Sequence, residues 1–190
     1  MPTRRAFLAS GIAAGLATGL ATALPVMGQA AQAPSIFDPT PVSFSPNYAT
    51  GEIVILPRSY FLYHVTAPGR AMRYGIAVAR VGLGFTGTAV IGRKVEWPSW
   101  RPTPEMIERD APYAKFKGNN DRMPGGPGNP LGARALYLYQ DGKDTYIRIH
   151  GTTQPGSIGH NASSGCFRMV NDNVIALYDK VPTGTKVTVL

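Results

Sequence analysis

The sequence is poorest in cysteine and in charge. One cysteine in 190 residues excludes an internal disulfide framework and a cysteine-rich zinc cluster. Only 16% of residues are charged while 44% are hydrophobic, so wholesale disorder is excluded and a real core can form. The 11 acidic residues are scattered and suggest no carboxylate pair for glycoside cleavage. Three histidines and one cysteine include no pair with ligand spacing on a helix face, so neither a metal nor a cofactor is expected. No repeat at solenoid spacing is present. Lys and Arg outnumber Asp and Glu 19 to 11, but they are dispersed. The net charge of +8 therefore fits an anionic partner without selecting nucleic acid, for which the pattern gives no support beyond charge.

What the chain has in plenty is glycine (22) and proline (17), about a fifth of all residues, which favours turns, loops and β structure over a helical bundle. At its start, Thr3-Arg4-Arg5-Ala6-Phe7-Leu8 sets two arginines before an Ala/Gly/Leu-rich run reaching about Met27. Small residues follow through Gly28-Gln29-Ala30-Ala31-Gln32-Ala33. A basic head, an apolar middle and a small-residue end form the layout of an export signal, and the arginine pair points to the twin-arginine (Tat) type. The alternative is a retained N-terminal anchor; the run's Gly and Ala content makes it weakly hydrophobic and favours cleavage. Cleavage after Ala33 leaves 157 residues, takes Arg4 and Arg5 away, and leaves no stable membrane span. The expected organisation is an export signal over 1–33, a Pro/Ser-rich leader over 34–50 and one folded domain over 51–190. The expected location is periplasmic.

Within that domain, short apolar runs separated by turn residues predict strands at Glu52–Leu56, Tyr60–Val65, Met72–Val81 and Thr86–Ile91. Two prolines bar the Trp97–Pro102 stretch from a regular central strand. Thr103-Pro104-Glu105 reads as a helix start, with a threonine cap and proline in the first turn. Residues 117–134 read as a long irregular loop. Ala135–Tyr139 and Tyr146–His150 predict a hairpin turning at Asp141-Gly142. Val174, Ile175, Leu177, Tyr178 and Val181 have helical spacing over Asn171–Val181, and Lys186–Leu190 alternates as a closing strand. The fold class is mainly β.

Reactive side chains concentrate near the end. His150 closes a predicted strand, and Cys166 lies sixteen positions on, within Ser163-Ser164-Gly165-Cys166-Phe167-Arg168-Met169. A cysteine nucleophile needs a base or a cation to form thiolate near neutral pH, and histidine suits that role. Gly165 allows a sharp turn, so backbone N–H groups of Gly165 and Cys166 are candidates to face a developing oxyanion. An inert buried cysteine with an uninvolved histidine is the plain alternative. Against it stand an unpartnered cysteine in an exported chain and its placement in a small polar loop.

The residues from Ile149-His150-Gly151-Thr152 to Ser163-Ser164-Gly165-Cys166-Phe167-Arg168-Met169 resemble the signature of the L,D-transpeptidase catalytic domain, the YkuD-like family. Gly128-Asn129-Pro130-Leu131-Gly132, Asn171-Asp172-Asn173-Val174 and Gly184-Thr185-Lys186-Val187 are similar to other parts of that domain. Two positions depart from the pattern: Ser164 stands where many members have histidine, and Phe85-Thr86-Gly87-Thr88 replaces a Thr-Pro-x-Gly turn. The resemblance implies a β-sandwich or barrel with one or two short helices and long active-site loops.

It also implies cysteine-dependent acyl transfer on peptidoglycan stem peptides. In that scheme Cys166 attacks the carbonyl of the third residue and expels terminal D-Ala. The thioester then passes to an amine of a second stem or of a wall-anchored protein. His150 is the base, the Gly151 carbonyl orients its ring, and Ser164, Gly165 and Cys166 surround the oxyanion. Arg168 either binds a substrate carboxylate or braces the loop. Ser163, His160 and Trp97 are further candidate substrate contacts, with core packing an equal reading for Trp97 and Trp100. Two alternatives stand beside transpeptidation: an L,D-carboxypeptidase or amidase using water at the same site, and a non-catalytic wall-binding module.

Overall fold

The computed structural model describes residues 35–190; the export-signal reading of 1–33 lies outside them. The described residues build eleven strands and two α-helices, joined by three short 3-10 turns. Strand β1 (Thr40–Ser43) comes from the stretch read as a leader. It pairs antiparallel with β4 (Arg70–Gly75), so this stretch forms an edge of the sheet. Next to β4 runs β3 (Phe61–Ala67), then β2 (Ile53–Leu56). The C-terminal strand β11 (Lys186–Val189) inserts parallel to β2 and joins it to β6 (Gly87–Glu96). The sheet continues through the hairpin of β7 (Arg134–Gln140) and β8 (Lys143–His150). It ends on a two-residue strand, Phe167–Arg168.

That nine-stranded sheet is folded onto itself. Just past β4, the backbone N–H and C=O of Ala77 pair with Arg168 at 2.9 Å each, so the chain leaving one end of the sheet bonds to the strand at the other. The closure is also visible inside: Tyr74 of β4 and Phe167 share one fully buried cluster with Ile53, Leu136 and Ile149. A flat sheet of nine strands at about 4.8 Å spacing would hold its two ends far apart. The architecture is mainly β, closed in the manner of a barrel or sandwich.

Closure explains a difference from the pattern of Met72–Val81. One continuous strand was expected there, but the chain breaks after Gly75, crosses the seam through Ala77, and forms β5 (Val78–Ala79). Strand β5 pairs with β9 (Asn161–Ser163) in a separate two-stranded sheet. Residues 74–79 are buried throughout, so the hydrophobicity of the run was readable and its interruption was not.

The two helices do different work. Helix α2 (Asn171–Lys180) buries Val174 and Leu177 against β7 and β8 and backs the strands that carry the site. Helix α1 (Pro104–Arg109) has no buried residue. It begins as the sequence predicts, with Thr103 Oγ1 accepting the Met106 N–H at 3.4 Å and Pro104 in the first turn. With the 3-10 segment Ala111–Phe116 it forms one wall of a cleft. Trp100 holds that wall in place, meeting Tyr113 and Phe116 edge-on at 5.3 and 6.2 Å.

Candidate active site

A pair of parallel strands positions the candidate reactive side chains, His150 at the end of β8 and Cys166 just ahead of the short partner strand. The Phe167–Arg168 strand, here β10, runs parallel to β8 with Phe167 opposite Ile149 and Arg168 opposite His150. Ile149 and Phe167 are buried in the core. Side chains alternate along a strand, so Arg148, His150, Cys166 and Arg168 share the opposite face. Around the cysteine the burial repeats with the same period: Ser163, Gly165, Phe167 and Met169 are buried, and Ser164, Cys166 and Arg168 are half-buried. Cys166 immediately precedes β10, and by this alternation its side chain shares a face with that of His150.

The His150 imidazole is held from behind. His150 is buried, and its Nδ1 lies 2.6 Å from the Gly151 carbonyl. A carbonyl can only accept, so Nδ1 carries the hydrogen and Nε2 is left with its lone pair. Burial drives the imidazole well below its ordinary value, down to about 4; hydrogen bonding to Gly151 opposes this, and the Arg168 and Arg148 charges reinforce it. At neutral pH the ring is an uncharged base.

The thiol of Cys166 is free and directed at the Tyr146 carbonyl, 3.8 Å away. That carbonyl is aimed by an irregularity in β8. Pairing with β7 slips between Tyr137 and Tyr139, and Tyr146 takes a left-handed φ of 60° inside the slip. Bulges of this kind re-aim groups beside active sites. Burial pushes the thiol up; a hydrogen bond from the Arg148 backbone and the Arg148 and Arg168 charges work against that push. The Arg148 guanidinium is bound in two places to Asp144, at 2.7 and 2.8 Å, and lies 4.2 Å over the Tyr137 ring.

Two expected roles change. Gly165 has φ 132°, a conformation that favours glycine, but its N–H donates to Ser163 Oγ at 3.2 Å. It is spent within the loop, so the two expected oxyanion donors are not presented together and Cys166 N–H is the one left of that pair. Ser163, expected to touch substrate, is buried and donates to the Cys166 carbonyl at 2.5 Å, a brace of the loop. The other candidates are dispersed. His160 is exposed and engages Val78 through its backbone. Trp97, 45% exposed with φ 42°, is not among the residues lining the cleft beside Ser164 and Arg168.

Asn171, Arg80 and Arg109 were not singled out as site residues in the sequence. Asn171, read as the start of a helix, sends Oδ1 back to the N–H groups of Ala133 (3.1 Å) and Thr152 (3.2 Å). It thereby ties the segment after His150 to the end of the long loop. A side chain at Gly151 or Gly132 would strike that oxygen. Ser164 accepts from Arg80 at 3.1 Å and from Arg109 at 3.0 Å.

Residues 50–189 match the L,D-transpeptidase catalytic domain, YkuD. The chain is 33% identical over 126 residues to the probable L,D-transpeptidase ErfK/SrfK of Escherichia coli K12, an alignment covering 60% of this chain and 37% of that protein. The chain thus spans well under half the length of that relative. A crystal structure from Brucella melitensis, described as a probable carnitine operon oxidoreductase, is 57% identical; it covers 83% of this chain and 96% of its own, with TM-score 0.56. An L,D-transpeptidase from Mycobacterium smegmatis shares the fold at 19% identity and TM-score 0.54, over 75% of this chain and 59% of its own. With a match that runs through both β8 and the Cys166 loop, the chain belongs to the L,D-transpeptidase catalytic domain family.

Proposed function

We propose that this protein is a cysteine-dependent L,D-transpeptidase acting on peptidoglycan stem peptides. The observation that carries the reading is the placement of His150 at the end of β8 and of Cys166 directly ahead of the paired β10, with the imidazole Nδ1 held by Gly151. In the first half-reaction the Cys166 proton passes to His150 Nε2 and sulfur bonds to the carbonyl carbon of the third stem residue. The peptide C–N bond then breaks, and D-Ala leaves with the proton returned by His150. In the second half, an acceptor amine gives its proton to His150 and forms the new C–N bond. The C–S bond breaks and the thiol is restored. The Cys166 N–H steadies the oxyanion in both halves; losing such a donor costs on the order of 3 kcal/mol of barrier. The acceptor is an amine of a second stem or of a wall-anchored protein. Residues 1–33 act as a Tat-type signal that delivers the chain to the periplasm.

The oxidoreductase description of the Brucella melitensis protein finds no matching cofactor loop in this chain. Gly82-Leu83-Gly84-Phe85-Thr86-Gly87 has the spacing of a dinucleotide-binding loop, but it leads into strand β6. In dinucleotide-binding folds that loop opens a helix whose N-terminus meets the pyrophosphate. The site chemistry therefore favours acyl transfer.

Product analysis tests the proposal. Mature protein incubated with a disaccharide tetrapeptide is expected to release D-Ala and yield a cross-linked dimer by mass spectrometry. Tripeptide as sole product would show a carboxypeptidase instead, and unchanged substrate would leave a binding module.

A further inference from the structure

Beside the nucleophile, a cleft of about 470 Å³ is lined by Arg80, Arg109, Asp110, Tyr113, Ser164 and Arg168, among others. Three guanidiniums meet one carboxylate there. Asp110 is engaged by its neighbour Arg109 at 2.8 and 3.2 Å. Neither Arg80 nor Arg168 has a carboxylate partner among the described residues. Arg168 has only the Gln154 amide oxygen at 3.3 Å, and Arg80 has the Ser164 hydroxyl, which it shares with Arg109. Two unneutralised cations facing one concavity repel each other, and Arg168 is half-buried as well. Such an arrangement is offset by a bound anion, and planar guanidiniums suit a carboxylate best.

The position of the cleft narrows what that anion is. Ser164, Cys166 and Arg168 alternate onto one face, so the guanidinium of Arg168 projects two residues, roughly 7 Å, from the nucleophile. A group bound there lies within a few bonds of the carbonyl that Cys166 attacks. We propose that Arg80, Arg109 and Arg168, gathered around Ser164, form a carboxylate-binding subsite for the donor stem peptide. The proposal rests on the peptidoglycan reading above and extends it to residues remote in sequence. A donor stem has two carboxylates near the scissile bond: the C-terminal one of D-Ala and the side-chain one of the third, diamino residue. The chemistry of recognition is the same for both.

The test measures binding, so it does not depend on turnover. Calorimetry on Cys166→Ala protein compares three stem tetrapeptides: one with both carboxylates free, one amidated at the C-terminus and one amidated on the third residue. The free peptide is expected to bind at least about tenfold more tightly than one of the amides, and that amide identifies the carboxylate held. Adding Arg80→Gln and Arg109→Gln should reduce the preference to about twofold or less, by weakening the free peptide. Equal affinity for all three peptides, or no binding of the free peptide, would overturn the subsite. So would a preference that survives the arginine changes, or a uniform weakening of all three, which is what mere bracing of Ser164 predicts. Binding with the expected preference but no D-Ala release by wild-type protein would uphold the subsite and sink the transpeptidase reading.

Discussion

Burial sets the resting protonation of the reactive pair, taking the His150 imidazole down to about 4 and pushing the Cys166 thiol up. Thiol and imidazole therefore start neutral, and the proton moves when substrate arrives. The acid limb of kcat/KM is expected near pH 4, where His150 takes up a proton; a limb at pH 6–7 would show an unperturbed histidine. The same shift links to stability. Between pH 6.5 and 4 the unfolded chain protonates His150 and the folded chain does not, so stability falls as pH falls through that window and is level above it. The loss amounts to about 3 kcal/mol. Denaturation of wild type and His150→Gln at pH 7 and pH 4.5 should show the extra acid loss only in wild type. Cys166 and His150 were legible in sequence because their chemistry sits inside one short motif. Arg80 and Arg109 were not, since they reach Ser164 from 84 and 55 positions away and nothing local marks an arginine for such a contact.

Elements as well as residues position the site. The slip in β8 at Tyr146 turns a backbone carbonyl toward the thiol, and Asn171 at the head of α2 pins the backbone beyond His150. Asn171→Ala leaves two inward N–H groups without their acceptor, costing about 1–3 kcal/mol by chemical denaturation. It also frees Gly151, whose carbonyl fixes the imidazole, so kcat should fall between about 10- and 100-fold. An effect on stability alone would show that α2 merely packs. The helix start at Thr103 and the hairpin around Asp141-Gly142 followed from local turn and capping chemistry and could be read from sequence. The break after Gly75 and the bulge at Tyr146 are responses to strands far along the chain, and local pattern holds no record of them.

At the scale of the whole molecule, the sheet's closure through Ala77 and Arg168 brings the segment after β4 to the Cys166 loop. The stretch ahead of β2 belongs to this structure. Phe37 fills the space over Gly75 and Gly159 and meets Phe61 at 5.7 Å, gluing β1 and its lead-in to the seam. Phe37→Ala should lower stability by about 1–3 kcal/mol in a thermal or denaturant melt, since the ring is half-buried. No loss would mean that the leader is an appendage after all. The Pro and Ser content of residues 34–50 marked a leader and left its order open, because composition reports on local preference and not on the edge strand waiting to be paired. Among the described residues no helix is long and apolar enough to cross a membrane.

The account as a whole turns on a covalent bond at Cys166. Wild-type protein mixed with the stem tetrapeptide, quenched in acid within the first turnover and peptide-mapped by mass spectrometry, should carry the tetrapeptide minus D-Ala on Cys166. Cys166→Ala should carry nothing and release no D-Ala. D-Ala release by the alanine variant, or release by wild type with the acyl group on any other residue, would contradict it.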